Sequence, residues 1–322
     1  MDRAYRPQLC AFREGSGIAG FEERITKLGG EALADLIGRS AIAVPADQDV
    51  DLLIVLPEVA PEQGLTSDRL KEAANALTAL AEAALASPEL PRLGSSRLFA
   101  GGEAGVGWAV NECLNGSDGG GNAGTIVLAV DSYNDRNRMN ALNDASRLYI
   151  DAQPYGFIPG EAAAAIWLSV EATAAEDGAL EISGAGTATE LVREFAEDES
   201  VLRALSGCCF SAMEHPANLV PQLRCLRWHA DWNNSRYRSS ELSLAIHRLA
   251  KDHLEPGMEP EYPSVALGHV GAAFGAVALT LLFEEKAGAG GRTGRQRSII
   301  SAGSTISGLR SAIVADRFVP SG

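Results

Sequence analysis

Apolar positions fall into two kinds of run along this chain. Short runs rich in β-branched residues alternate with Ala/Leu-rich stretches whose apolar positions recur every three or four residues, which predicts strands alternating with amphipathic helices. Gln8 to Phe12 reads as a first strand. Ala41 to Val44 and Asp51 to Leu56, bounded by Pro45 and Pro57, read as two more. Phe21 to Ile37 has a helical pattern interrupted at Gly29-Gly30. Thr66 to Ala86 is a helix capped by Ser67-Asp68 and stopped by Pro88. Glu103 to Leu114 is a further helix, and Asn115 to Gly124 is a loop of turn formers. Thr125 to Val130 is an unbroken apolar run, as expected of a strand covered on both faces. Ala162 to Val170 and Leu180 to Ser183 are predicted strands.

The second half repeats this grammar. Thr189 to Ala196, Glu199 to Leu205 and Glu241 to His253 read as helices, and Gln222 to Trp228, Ser298 to Ala302 and Ser311 to Ala315 as strands. Gly288 to Arg297 reads as a flexible loop. Gly268 to Phe283 is apolar on every face, so as a helix it has no solvent side and belongs in the middle of a domain. A single histidine, His269, stands at its entrance, next to any site built at that helix N-terminus. The alternation predicts an α/β layered sheet. With no Pro/Ser-rich linker, the chain reads as two similar halves, 1–183 and 184–322, sharing one compact core.

Composition narrows the partners. The chain of 322 residues is 46% hydrophobic and carries 27 Lys and Arg against 42 Asp and Glu, a net charge of −15. Such a chain repels nucleic acid and anionic lipid, so neither is expected as a partner. The apolar run at 268–283 is too short and Gly-rich for a membrane span. Five cysteines, Cys10, Cys113, Cys208, Cys209 and Cys225, match no zinc spacing, and a chain of this size does not need disulfides. The N-terminal residues carry no apolar signal core. A reducing cytoplasm fits these features, and no cofactor or metal is expected.

Tyr155-Gly-Phe-Ile-Pro-Gly-Glu161 makes a rigid turn entering a strand, with Glu161 placed to hold the turn's backbone donors. Together with Val130-Asp131-Ser132-Tyr133, Leu180 to Thr189 and Gly268-His269-Val270-Gly271-Ala272-Ala273-Phe274-Gly275-Ala276, it resembles the β-ketoacyl synthases of the thiolase-like superfamily. The motifs occur in that family's order from about Arg97 onward. The resemblance implies a five-layer αβαβα fold of two similar halves, a homodimer or a heterodimer with a second ketosynthase-like subunit, and an acyl-carrier protein or acyl thioester as partner. It implies acyl transfer to a cysteine at a helix N-terminus, whose dipole lowers the thiol pKa, followed by decarboxylative condensation aided by two histidines.

Transferring those roles leaves most positions vacant. Counting back from Gly107-Trp108 places the nucleophile at Phe99, which cannot form a thioester. Ser95 and Ser96 lie nearby but need a register shift of three or four residues. Cys113 lies well inside its helix, and Cys208-Cys209 opens no motif. The first histidine position falls to His229 or to Asp231, with Trp232 and asparagines where the family has small threonines. The lysine position before His269 is Ser264. Gly303, Ser304 and Thr305 stand in the family's glycine-rich pantetheine loop without its gating Phe. His269 alone matches its motif directly.

Two functions compete on this pattern. One is a non-condensing scaffold that binds an acyl-carrier protein or a second subunit. The other is an active acyltransferase or malonyl-thioester decarboxylase that uses His269 and His229. A third reading takes Gly101-Gly-Glu-Ala-Gly105 or Gly184-Ala-Gly186 as a dinucleotide turn, but neither completes the full glycine pattern after a strand with a downstream acid.

Overall fold

The computed structural model describes residues 20–39, 47–116, 124–169, 180–192, 201–284 and 293–319. The first half contains α1 (Phe21–Gly38), β1 (Asp49–Val55), α2 (Ser67–Ala84), β2 (Arg92–Phe99), α3 (Gly105–Asn115), β3 (Gly124–Ser132), α4 (Arg136–Asp144) and β4 (Glu161–Ser169). The second contains β5 (Leu180–Thr189), α5 (Ala204–Met213), β6 (Cys225–Ala230), α6 (Arg236–Leu249), α7 (Ser264–Leu267), α8 (Phe274–Glu284), β7 (Gly294–Gly303) and β8 (Leu309–Val319).

Two four-stranded mixed sheets result, in the orders β2-β1-β3-β4 and β5-β8-β7-β6. In the first, β1 runs parallel to β2 and β3, and β4 turns back antiparallel to β3. In the second, β6 and β7 are parallel while β8 lies antiparallel between β7 and β5. Three apolar clusters hold the layers together. One joins α1 and α2 to an outer face of the first sheet, through residues such as Phe21, Leu77 and Leu128. A second lies between the sheets, where Val106, Ala109, Phe274 and Ala278 of α3 and α8 meet both. The third joins α5 and α6 to the far face of the second sheet. The run at 268–283 is central from His269 to Leu279, whereas Leu281 and Phe283 at its end are exposed, so the helix does have a solvent side there. Among the described residues no helix is long and apolar enough to cross a membrane.

Several sequence expectations shift. Gly29-Gly30 does not interrupt α1, because buried Gly29 is where the helix closes on Leu77 and Val130. The cap of α2 is Thr66, whose hydroxyl accepts from the Arg69 N–H at 3.3 Å, rather than Ser67-Asp68. Three elements were not foreseen: β2, an edge strand with no clean alternation of burial, the polar helix α4 and the short helix α7. Thr189 ends a strand instead of opening a helix, and α5 begins only at Ala204. Gly294–Arg297, expected in a loop, form the start of β7. The expected division at 183/184 falls inside β5, which belongs wholly to the second sheet. The strands expected at Gln8–Phe12 and Ala41–Val44 lie outside the described residues.

Close packing in the second half depends on missing side chains. A Cβ on Gly184 would meet the Ala212 carbonyl, and one on Gly186 the Cys208 carbonyl, so α5 rests directly on the β5 backbone. Exposed Gly207, on the same helix, has no heavy atom within 4 Å of its would-be Cβ. Gly186→Val should therefore lower stability by about 3 kcal/mol. Gly207→Ala should raise it by about 0.5–1 kcal/mol by removing backbone freedom from the unfolded chain. Urea unfolding of both variants beside the parent checks the pair.

Candidate functional site

Glycines in the left-handed region open both helices between the sheets. Gly102 (φ +55°) precedes the 3-10 turn Gly102–Ala104 that leads into α3, and Gly271 (φ +51°) precedes the turn Gly271–Ala273 that leads into α8. Few L side chains adopt this conformation. At Gly271 there is also no room, because a Cβ would occupy the place of Asp131 Oδ2. That oxygen accepts from the Ala272 N–H at 2.9 Å, so an acid at the end of β3 caps the helix that follows His269. Its other oxygen accepts from Arg138, whose guanidinium lies 3.6 Å from the centre of the Tyr133 ring.

His269 is fixed from both sides. Its N–H donates to the Ile158 carbonyl at 2.7 Å, and its carbonyl accepts from the Gly160 N–H at 3.0 Å. The Pro-Gly turn and the histidine motif, separate in sequence, are thus joined edge to edge. Glu161 does not hold that turn's donors as expected. It pairs with Arg24 at 2.9 Å and accepts from Ser132 Oγ at 2.7 Å. The imidazole stacks near Phe157 and Tyr133, with ring centres 4.8 and 5.3 Å away. Its Nε2 lies 2.9 Å from Oε1 of Glu103, and both side chains are buried.

This pair borders a small cavity of about 40 Å³, lined among others by Glu58, Glu103, Tyr133, Phe157, His269 and Thr305. That is room for roughly three waters or a group of similar size. Glu58 follows Pro57 just past the end of β1, and its two oxygens accept from the N–H groups of Ile306 at 3.1 Å and Ser307 at 2.8 Å. Burial, together with the charge of Glu103, raises the Glu58 pKa to about 7 despite those hydrogen bonds. Burial works against Glu103 as well, but the hydrogen bond and charge of His269 outweigh it and hold that carboxyl well below the usual range. One cavity therefore contains a carboxyl that is charged throughout the neutral range and another that changes state there.

The residues singled out from the sequence are only partly brought together. His269 and Thr305 line the cavity. Phe99 ends β2 and packs among the apolar side chains between the sheets; the position heading α3 is Gly102, three residues later. Asp231 is buried in a network of its own, accepting from Arg238 and, at 2.8 Å, from the Gly303 N–H. Burial raises its pKa to about 6 in spite of Arg238. The network continues through Glu241 to Arg310, which donates to the Ser304 carbonyl at 2.8 Å. Ser304 Oγ in turn donates to the Gly101 carbonyl.

His229 is buried away from the cavity. Its Nε2 lies 3.3 Å from Glu261 Oε2 without hydrogen-bond alignment, so the contact is electrostatic. Ser264 Oγ donates to the Trp232 carbonyl. Ser95 and Ser96 are engaged with Asp51 and Thr78, at 2.6 and 2.7 Å. Burial raises the pKa of Cys113 and takes that of Cys208 to about 12, so both behave as inert thiols. Sequence reasoning missed Glu58, Glu103 and the Asp131–Arg138 pair. The available signal was an acid within three residues of a strand end or next to a glycine turn, where α/β sheets place their chemistry.

No family model and no curated protein sequence matches the chain. Solved structures do. A ketosynthase domain of the oxazolomycin system from Streptomyces albus aligns at a TM-score of 0.68 and 14% identity, covering 95% of this chain and 65% of that one. A ketosynthase from module 6 of the bacillaene synthase of Bacillus subtilis aligns at 0.62 and 15%, covering 94% of this chain and 58% of that one. A type II polyketide ketosynthase in complex with its acyl-carrier protein and a hexaketide aligns at 0.66 and 14%, covering 92% of this chain and 85% of that one. The fold is ketosynthase-like. The chain spans less than two thirds of the length of the first two relatives, and at these identities the likeness carries the fold alone.

Two measurements probe the cavity. Glu103→Gln removes the buried carboxylate against which His269 Nε2 rests and should cost about 3 kcal/mol in chemical denaturation. Glu58 has a higher pKa folded than unfolded, so the fold binds that proton more tightly. Its contribution should weaken stability by about 3 kcal/mol as pH rises from about 4.5 through 7. Glu58→Gln should remove that slope, and a protonated-carboxyl infrared band titrating near pH 7 should vanish with it.

Proposed function

We propose that this chain is a non-condensing ketosynthase-like protein that keeps the thiolase-like five-layer scaffold and binds an acyl-carrier partner or a second ketosynthase-like subunit. The observation that carries this reading is at the entrance of α3. Gly102, without a side chain, begins the 3-10 turn into α3, and the next residue, Glu103, is committed to His269; the reading takes this entrance as the counterpart of the one where the condensing enzymes it resembles present a thiolate. Neither this glycine nor Phe99 can carry an acyl group. The nearby serines are engaged by hydrogen bonds and Cys113 sits well inside α3. Loss of a nucleophile from a group that acts as a unit removes about 10^3- to 10^6-fold of rate. The cavity's volume of about 40 Å³ also leaves no room for a long acyl chain.

The alternative, an acyltransferase or malonyl-thioester decarboxylase resting on His269 and His229, asks for both imidazoles at one place. Only His269 lines the cavity. Carbon dioxide release from a malonyl carrier protein that disappears in His269→Ala would restore that alternative.

Assembly rests on β2. It pairs with β1 on one side, and among the described residues its other edge has no strand partner. An eight-residue open edge is a ready template for a second chain. Two outcomes are expected of the purified protein. Radiolabelled acetyl and malonyl thioesters should leave no covalent label, whereas label that is lost in Ser304→Ala or Cys113→Ala would overturn the non-condensing reading. Sedimentation at micromolar concentration should give a dimer mass, and a monomer there would remove the self-association expected of β2.

A further inference from the structure

Glu58 and Glu103 share a cavity yet do different things. Glu103 is bound to His269 Nε2 at 2.9 Å. Glu58 has no side-chain partner of opposite charge in the hydrogen bonds that hold it; backbone N–H groups of Ile306 and Ser307 grip its two oxygens at 3.1 and 2.8 Å. It is a buried carboxyl with a fixed position, aimed by the loop that follows β7. The remaining titratable groups around the cavity are Asp131 and Tyr133 at the end of β3, Arg138 on α4, and Arg147 just beyond it. Asp131 and Arg138 neutralise each other as a buried pair. The loop after β7 contributes Thr305, Ile306 and backbone, with no charge.

On the far side of the ion pair, His269 Nδ1 has no hydrogen-bond partner among the described residues. Tyr133 and Phe157 supply apolar walls beside it. The space of about 40 Å³ suits a group of three or four heavy atoms, the end of a short acyl chain. Two carboxyls whose surroundings push their protonation apart, beside a hydrogen-bonding imidazole in one small cavity, form an acid–base constellation.

We propose that Glu58 is the base of a proton-transfer site, removing and returning a proton on the carbon next to the carbonyl of a two- or three-carbon acyl thioester. In the forward step the C–H bond breaks as an O–H bond forms on Glu58. The C–H electron pair becomes a C=C bond, and the carbonyl π pair moves onto oxygen. The reverse step restores the thioester. No oxidant, reductant or leaving group is needed, and no covalent adduct forms. A carboxyl titrating near neutrality is matched to this task, because it is available as the base yet strong enough to accept the proton. This deepens the reading of the chain as a holder of acyl thioesters and rests on it.

The test uses the whole chain with the acetyl thioester of N-acetylcysteamine in D2O. Loss of the acetyl proton signal is followed by NMR, and binding is measured in the same samples by saturation transfer. Protein-dependent exchange should rise with pH through about 7. Glu58→Gln should slow it by about 100-fold or more while the thioester still binds. Exchange in Glu58→Gln at the parent rate would overturn the assignment. Binding without exchange in the parent would overturn the proton transfer and leave the acyl-holding reading standing, whereas no binding would remove both. Should Glu58→Gln fail to fold, the parent's profile decides, because a rate that is flat between pH 5 and 9 overturns the role of Glu58.

Discussion

A buried contact between residues 166 positions apart organises this molecule: His269 against Glu103, at the entrances of the two helices that run between the sheets. Taking two ionisable groups out of water is expensive, and the attraction repays it only with close geometry and further hydrogen bonds around the pair. The surrounding structure provides these. The backbone of His269 is pinned to the turn at 158–160, and Asp131 caps the turn after it. The glycines at 102 and 271 let the chain approach where any side chain would collide. Each of these features has little use unless the pair is in place.

The second half contains a related device. Asp131 and Arg138, and Asp231 and Arg238, are both carboxylate–arginine pairs seven residues apart. Each joins a strand end to the first turn of the next helix. In both, a capping side chain, Asp135 or Ser235, accepts from the N–H of that arginine. The outcomes differ because of what lies beyond. Asp131 and Arg138 border the cavity, whereas Asp231 and Arg238 are extended by Glu241 and Arg310 and closed in behind Gly303. One motif therefore serves an open site in one half and a sealed brace in the other. Chemistry collects on one side of the molecule although the framework repeats.

What could be read in advance followed from burial on both faces. The run at 125–130 gave its strand away because β3 is covered throughout, and the Gly/Ala run declared its central position from His269 to Leu279 for the same reason. The edge strand β2 has its neighbours on one side only, so Arg92–Phe99 has no strict alternation to read. The polar surface helix α4 is held by Asp135 at its cap and by the Arg138–Asp131 pair, both of which need tertiary context. The site divided in the same way. His269 was legible because its glycine and alanine neighbours are local. Glu58 and Glu103 were not, since an acid becomes informative only once its distant partner is known.

The charges themselves bear on whether this cavity is a relic. Buried ionisable pairs are often replaceable by well-packed apolar side chains at no loss of stability, so stability alone gives little reason to keep Glu103 and His269 there. Glu58 presses the point further. Its hydrogen bonds to the loop at 306–307 need two acceptors in place, but they do not need a group whose ionisation costs the fold about 3 kcal/mol above neutral pH. A chain that had lost every use for this cavity would be expected to fill it, since the walls already include Leu65, Leu142, Phe157 and Ile306. Instead the apolar walls surround acids whose protonation is split by their surroundings. Local departures from the most stable choice gather where a protein binds or transforms something, so the acids held in this cavity are what an argument from stability alone leaves unexplained.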